Sequence, residues 1–375
     1  MVVYYTMFLY IFVIGVLGNS YVKKNKIKSK YDNGTNMFFA VLLLILPVVL
    51  IGLRTNYIDT KGYIAGFEQL PLEWSSVTDS FEDSKGPGWL VYQWIIKFFI
   101  TKNPNIFLLI TAAIQAGALL KFYYKYSSDY RYSMLLFFLS MSVASSMMNG
   151  IRQYTAVSLI LYFADYIFDK KYLKFLVVVL IAYSIHNSAV VWAVAIFIVQ
   201  GKPWNKKVLI CIALAVVAIM FLDQFTSFLD EGLADTNYAG YTQQFSEDDG
   251  SNPVHTLIYS VPIVIAFWKR KQIAALNNRT IDILINISIL AFALSLVANF
   301  TSGILIGRMP IYFSVFSYAL FPLMFDNVFN EKDRRMLKTL CGFGYLCYAI
   351  YYMYNAWGNM GMPYISDVLG INTWH

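Results

Sequence analysis

Twelve apolar runs, separated by short polar stretches, organise the chain: Val2–Gly18, Met37–Leu53, Ile106–Leu120, Ser133–Met148, Tyr154–Phe168, Leu173–Ile185, Ala189–Val199, Val208–Leu222, Val254–Trp268, Ile281–Ala298, Pro310–Phe325 and Met336–Tyr354. A membrane-crossing helix needs about 20 residues, and most runs reach that length with their flanks. The pattern predicts an all-α fold, a polytopic membrane helical bundle of about 12 crossings. Nothing in the chain is polar and long enough to fold as a soluble domain, so residues 1–375 read as a single integral membrane domain. The first run has no positive residue before it and a lysine cluster after it, which is the wrong polarity for a cleaved signal and predicts an anchor helix.

Two stretches break the simple pattern. Residues 88–101 are largely apolar but carry Gln93 and Lys97, and read as an amphipathic helix on the outer surface. Leu173–Val199 is interrupted by His186-Asn187-Ser188. Each half is only about 15–20 Å long, so a broken helix is expected near His186. Non-helical backbone at membrane depth is tolerated only where protein or a wet cavity surrounds it.

Charge orients the bundle. Lysines and arginines gather at 23–30, 121–131, 170–174, 202–207, 269–279 and 332–338. These read as cytoplasmic loops. Residues 54–85 hold six acids against three bases, and residues 223–253 hold seven acids and no lysine or arginine. The outer loops are therefore expected near 54–88 and 223–253, with the N-terminus outside. The composition agrees, with 58% hydrophobic and 14% charged residues and a mean hydropathy of +0.54. Soluble domains carry about 25% charged residues. The net charge of +7 belongs to the inner loops rather than to a nucleic-acid partner. Cys211, Cys341 and Cys347 lie inside apolar runs without ligand spacing and read as buried thiols. No nucleotide fingerprint, Walker motif or HExxH occurs. No metal site and no cofactor is expected.

With this topology several polar residues fall on the outer side. Arg54 ends the second run, with Asp59 and Tyr63 beyond it. Arg152, in Asn149-Gly150-Ile151-Arg152-Gln153, opens the fifth run. His186 sits in the broken helix, and Arg308 precedes Pro310 at the start of another run. Arg152 and Arg308 stand at helix N-termini, where unpaired N–H groups and the helix dipole favour an anion. A guanidinium there adds a planar fork suited to phosphate. Any one such arginine is more often a snorkelling lipid anchor, a lone histidine more often a satisfied polar residue, and the aromatic cluster Tyr345–Trp357 an interfacial belt. Three arginines and a histidine on one side, in a chain with few charges inside its runs, read as one site.

At these residues the chain resembles the EpsG family of Wzy-like polysaccharide polymerases. The resembling pieces are Gly52-Leu53-Arg54 with Asp59 and Tyr63, Gly86-Pro87-Gly88-Trp89, Gly150-Ile151-Arg152-Gln153 with Ala156, Ala182 to Ala189 around His186, and Gly307-Arg308-Met309-Pro310-Ile311-Tyr312-Phe313 with Pro322 later. Gly86 departs from the family, which often has Glu before Pro-Gly. The resemblance implies a multi-pass protein of the bacterial cytoplasmic membrane that joins polyprenyl-diphosphate-linked oligosaccharide repeat units into exopolysaccharide, capsule or O-antigen on the outer face. Donor and acceptor would both be lipid-linked, and a chain-length regulator protein is a further expected partner. In that reaction Arg152 and Arg308 would grip the donor pyrophosphate, with Gln153 and Tyr63 beside it and Arg54 assisting. His186 would be the general base and Asp59 the alternative. Three other readings stay open: a lipid-linked glycan flippase, a membrane acyltransferase, and a polyprenyl-phosphate-sugar glycosyltransferase.

Overall fold

The computed structural model describes residues 2–25, 34–82, 84, 86–220, 251–300, 306–360 and 364–372. The expected acidic outer loop at 223–253 falls almost wholly outside them. The architecture is all-α, apart from one short hairpin of Ile365–Ser366 (β1) and Ile371–Asn372 (β2). Several helices start where the sequence supplies a side-chain acceptor for the unpaired first-turn N–H groups. Asn36 accepts from Phe39 N–H at 3.0 Å, Asn103 from Asn105 N–H at 2.9 Å with Pro104 in the first turn, and Asp129 from Tyr132 N–H at 3.3 Å.

The chain divides into two compact units, residues 1–193 with 330–375, and residues 194–329. The first unit contains α1 (Val2–Lys24), α2 (Met37–Gly52), α3 (Thr60–Gln69), α4 (Trp74–Asp79), α5 (Pro87–Phe99), α6 (Pro104–Tyr126) and α7 (Tyr130–Leu139). A π-helical segment, Val143–Asn149, then leads into α8 (Ile151–Tyr162), α9 (Asp165–Phe168) and α10 (Tyr172–Ile185). After a 3₁₀ turn at Asn187–Val190, α11 (Val191–Ile198) runs on past the unit boundary. The second unit contains α12 (Lys206–Met220), α13 (Pro253–Trp268), α14 (Arg270–Leu276), α15 (Arg279–Ala298) and α16 (Ile311–Val328). The long α17 (Glu331–Met360) returns the chain to the first unit.

Among the described residues, α1, α6, α15 and α16 are each long and apolar enough to cross a membrane alone. The pair α7 plus the π segment would make a fifth, but it is bent by 81°. The bend falls at Ser140–Ser142, where Met141 has a positive φ of 59°. Helices α2, α10, α11 with its 3₁₀ turn, and α13 are apolar but shorter. At 1.5 Å per residue a 16-residue helix such as α2 spans about 24 Å, short of the roughly 30 Å of hydrocarbon. The expected count of about twelve crossings rested on run length plus flanks. The structure resolves several of those runs into short or bent helices.

In the first unit α2 packs antiparallel to α6 with no room between them. A Cβ on Gly52 would sit 2.5 Å from Leu109 Cα. Helix α8 runs parallel to α6. Gln115 donates to Ile151 O and Thr155 Oγ1 (3.2 and 3.1 Å), and Lys125 pairs with Asp165 at 2.8 Å. Helix α10 packs on α8 and α5. In the second unit α15 packs on α12, α13 and α16, joined by hydroxyl pairs Ser288–Ser317 (2.8 Å) and Thr256–Ser295 (2.7 Å). Its Asn286 amide donates to the carbonyls of Val199, Gly201 and Lys202.

The Lys125–Asp165 pair carries a pH prediction. Burial alone would raise the Asp165 carboxyl, but hydrogen bonds from Lys125 and Tyr126 and the Lys125 charge outweigh it and hold the pKa below the usual carboxylate value. A depressed acid contributes stability that is present above its unfolded value and lost as pH falls through the folded one. Wild type should therefore lose about 0.5 kcal/mol more than Asp165→Asn on acidification below pH ~4, a small effect because the pair is one-third exposed. Thermal unfolding in detergent at pH 7 and at a pH below that value measures the difference, and parallel curves would contradict it.

Candidate functional site

The polar break Asn149–Gln153 lies part-way along the bundle rather than at its end. Gln115 meets Ile151 in the middle of the 23-residue α6. From residue 104 to residue 115 is about 16 Å along the helix axis. Helix α8, with 12 residues, is only about 18 Å long. Its N-terminus therefore begins level with the middle of α6, and this half-buried level at the start of α8, next to Gly150, is the recess referred to below.

Arg152 is the second residue of α8, half-buried, and among the described residues its guanidinium has no hydrogen bond or ion pair. Two other chain segments close on it. A Cβ on Gly86 would sit 3.4 Å from Arg152 Nη1 and 2.8 Å from Ile185 O. A Cβ on Gly88 would overlap Ser184 Oγ at 2.2 Å. Gly86-Pro87-Gly88 thus wedges between Arg152 and the C-terminus of α10, and the absence of a side chain at Gly86 and at Gly88 is what admits it. Pro87 starts α5, so a second helix N-terminus faces the same place. The helix expected near 88–101 is this α5. Its Lys97 caps the end of α3, donating to the carbonyls of Phe67 (2.9 Å), Glu68 (2.8 Å) and Leu70 (2.6 Å).

His186 follows the last residue of α10 in an extended conformation (φ −149°, ψ 119°), and the 3₁₀ turn starts directly after it. Helix α10 thus ends at Ile185, and the 3₁₀ turn runs from Asn187 to Val190. His186 Nδ1 lies 2.7 Å from Ser188 Oγ, which also accepts from Gln153 Nε2 at 3.3 Å. Gln153 and His186, from different helices, are thereby linked through Ser188, which the sequence reading passed over. The spacing His-x-Ser beside a helix break was the available signal.

Arg54 is placed differently from expectation. It is 1% exposed. Nε donates to Thr60 Oγ1 (3.0 Å), Nη1 to Ile51 O, and Nη2 to Met148 O (2.7 Å). All three nitrogens are occupied by protein acceptors, so Arg54 clamps the end of α2 to the π segment rather than offering a fork to a ligand. Burial lowers its pKa to about 10, and it remains a cation at neutral pH. Asp59 is exposed, and its N–H approaches Asn149 Oδ1 at 3.4 Å. Its carboxylate has no partner among the described residues. Tyr63 is half-buried, edge-on to Trp89 at 6.0 Å between centroids, and Trp89 stacks on Tyr92 at 5.3 Å. Arg54, Asp59, Tyr63, Arg152, Gln153 and His186 therefore all belong to the first unit, tied together by the contacts above. Arg308 belongs to the second, where it is exposed in the turn before Pro310 and α16.

The arrangement is that of a multi-pass helical membrane protein with a recessed cationic recess, a histidine on a helix break and an exposed carboxylate nearby. The EpsG family model matches residues 37–366, and the chain belongs to the EpsG family. That membership supports a membrane role of the polysaccharide-polymerase kind. No curated protein and no solved structure matches the chain.

Proposed function

We propose that this protein polymerises polyprenyl-diphosphate-linked oligosaccharide repeat units into a polysaccharide on the outer face of the bacterial cytoplasmic membrane. The observation that carries the reading is the Arg152 guanidinium at the N-terminus of α8, which has no hydrogen bond or ion pair among the described residues, beside the His186–Ser188–Gln153 link. A diphosphate at a lipid headgroup is an anion that such a fork and helix N-terminus would hold. The charge pattern of the loops, with basic loops read as cytoplasmic, supports a recess open to the outer side.

In the reaction, the acceptor hydroxyl oxygen attacks the anomeric carbon of the donor. The bond from that carbon to the diphosphate oxygen breaks, and polyprenyl diphosphate leaves with the electron pair. Arg152 stabilises the charge gathering on the leaving group. His186 takes the acceptor proton. If Gln153 and His186 Nδ1–H both donate to Ser188 Oγ, Nε2 carries the lone pair, which is the tautomer a base requires. Asp59 is the alternative base. Because the guanidinium supplies the cation, the reaction needs no metal and no cofactor.

Purified protein given a lipid-linked repeat unit should form polymer in the presence of EDTA. His186→Gln should reduce the rate by about 10²–10⁴-fold, the usual contribution of a general base. Strict dependence on added divalent metal, or full activity in His186→Gln, would count against this mechanism.

A further inference from the structure

The last carbonyls of a helix have no partner within it, and those of α2 are satisfied from unexpected places. Ile51 O accepts from Arg54. Leu50 O accepts from Tyr364 OH at 2.6 Å, and Leu53 O accepts from Ser366 Oγ. Both capping hydroxyls come from the other end of the chain. Residues 55 and 56 also pair with that segment. Ile365 O accepts from Thr55 N–H (2.8 Å) and Asn56 N–H (3.2 Å), Ile365 N–H donates to Asn56 O (3.2 Å), and Asp367 N–H donates to Thr55 Oγ1 (3.1 Å). Ser366 Oγ further accepts from Leu369 N–H at 3.2 Å, closing the hairpin on itself. Tyr364 and Ser366 are 1% and 0% exposed.

Water would satisfy those carbonyls equally well at a helix end facing solvent. The tail supplies immobility instead. Arg54 stands between the tail's anchor points and reaches Met148 O, one residue before Asn149 and four before Arg152. We infer that the segment Tyr364–Asn372 is a positioning strap. It pins the end of α2, holds Arg54 in place, and through the Arg54–Met148 bond fixes the turn that presents Arg152. Tyr364 and Ser366 are positioning residues in this scheme, since neither touches the recess. The strap lies on the same side of the membrane as residues 54–56. Its catalytic consequence rests on the polymerase reading above, while its pairing and positioning do not.

The test uses the full chain with Cys211, Cys341 and Cys347 replaced by alanine. Asn56 and Ile365 exchange both N–H···O bonds, so their Cα atoms should be about 5.5 Å apart, within the range a disulfide bridges. Asn56→Cys with Ile365→Cys should cross-link under mild oxidation, and failure to cross-link would overturn the strap whatever the protein's activity. The second arm is Tyr364→Phe with Ser366→Ala. It should lower kcat about tenfold, the scale of one or two lost hydrogen bonds, with KM for the lipid-linked substrate changed less than about twofold. Adding the 56–365 disulfide should restore kcat. The third arm needs no activity: the maleimide reactivity of Asn149→Cys should rise severalfold in Tyr364→Phe/Ser366→Ala and fall back when the disulfide is added. Unchanged Asn149→Cys reactivity would overturn the positioning role. Lack of polymer from the wild-type chain, with the cross-link and reactivity changes present, would overturn the polymerase reading and leave the strap standing.

Discussion

Arg152→Ala is expected to lower polymer formation by at least about 100-fold while leaving thermal stability unchanged. Removing one charge-stabilising donor from a preorganised site costs on the order of 10²–10³ in kcat. Arg152 has no protein partner among the described residues, so its truncation leaves no buried acceptor unsatisfied. Two cationic features, the guanidinium and the end of α8, would otherwise repel each other, so its removal relieves that strain. Arg152→Lys keeps the charge but loses the two-pronged geometry, and should fall between wild type and alanine. Polymer length on gels together with thermal unfolding of the same detergent preparation checks both halves. Full activity in Arg152→Ala removes the site, and a collapse of stability turns Arg152 into a structural residue.

Arg54→Ala should show the opposite profile. The substitution strips donors from Ile51 O, Met148 O and Thr60 Oγ1 at a position 1% exposed. An unsatisfied buried acceptor costs about 1–3 kcal/mol, so the loss should be about 3 kcal/mol after partial relaxation. Arg54→Lys cannot span three acceptors on two segments and should recover only part. Hydrogen exchange should rise first at the π segment and the start of α8, which Arg54 tethers. Unfolding in detergent with exchange read peptide by peptide measures this. Wild-type stability in Arg54→Ala would contradict the clamp.

Much of the helical architecture was legible because apolar runs and their caps are local signals. Asn36, Asn103 and Asp129 each announce a helix start within three residues of the groups they bind. Arg152 at a helix N-terminus and the interruption at His186 were legible for the same reason. Three features were not. The 81° bend at Ser140–Ser142 lies in a run whose serines and methionines read as continuous apolar sequence. The fate of Arg54 depends on a carbonyl 94 residues away, and run ends show only that a helix stops. The depth of Arg152 is a relation between α8 and the middle of α6, set by Gln115, and no spacing within either helix encodes it. The level of Arg152, beside the middle of α6, is what the structure adds to the site.

The central claim is that the recess joins lipid-linked repeat units. The most direct measurement is the lipid-linked pool in cells whose only copy of this protein carries Arg152→Ala. The account predicts that single repeat units on polyprenyl diphosphate accumulate facing outward and that no polymer forms. Accumulation of the same units on the inner face would identify a transporter instead, and contradict the account.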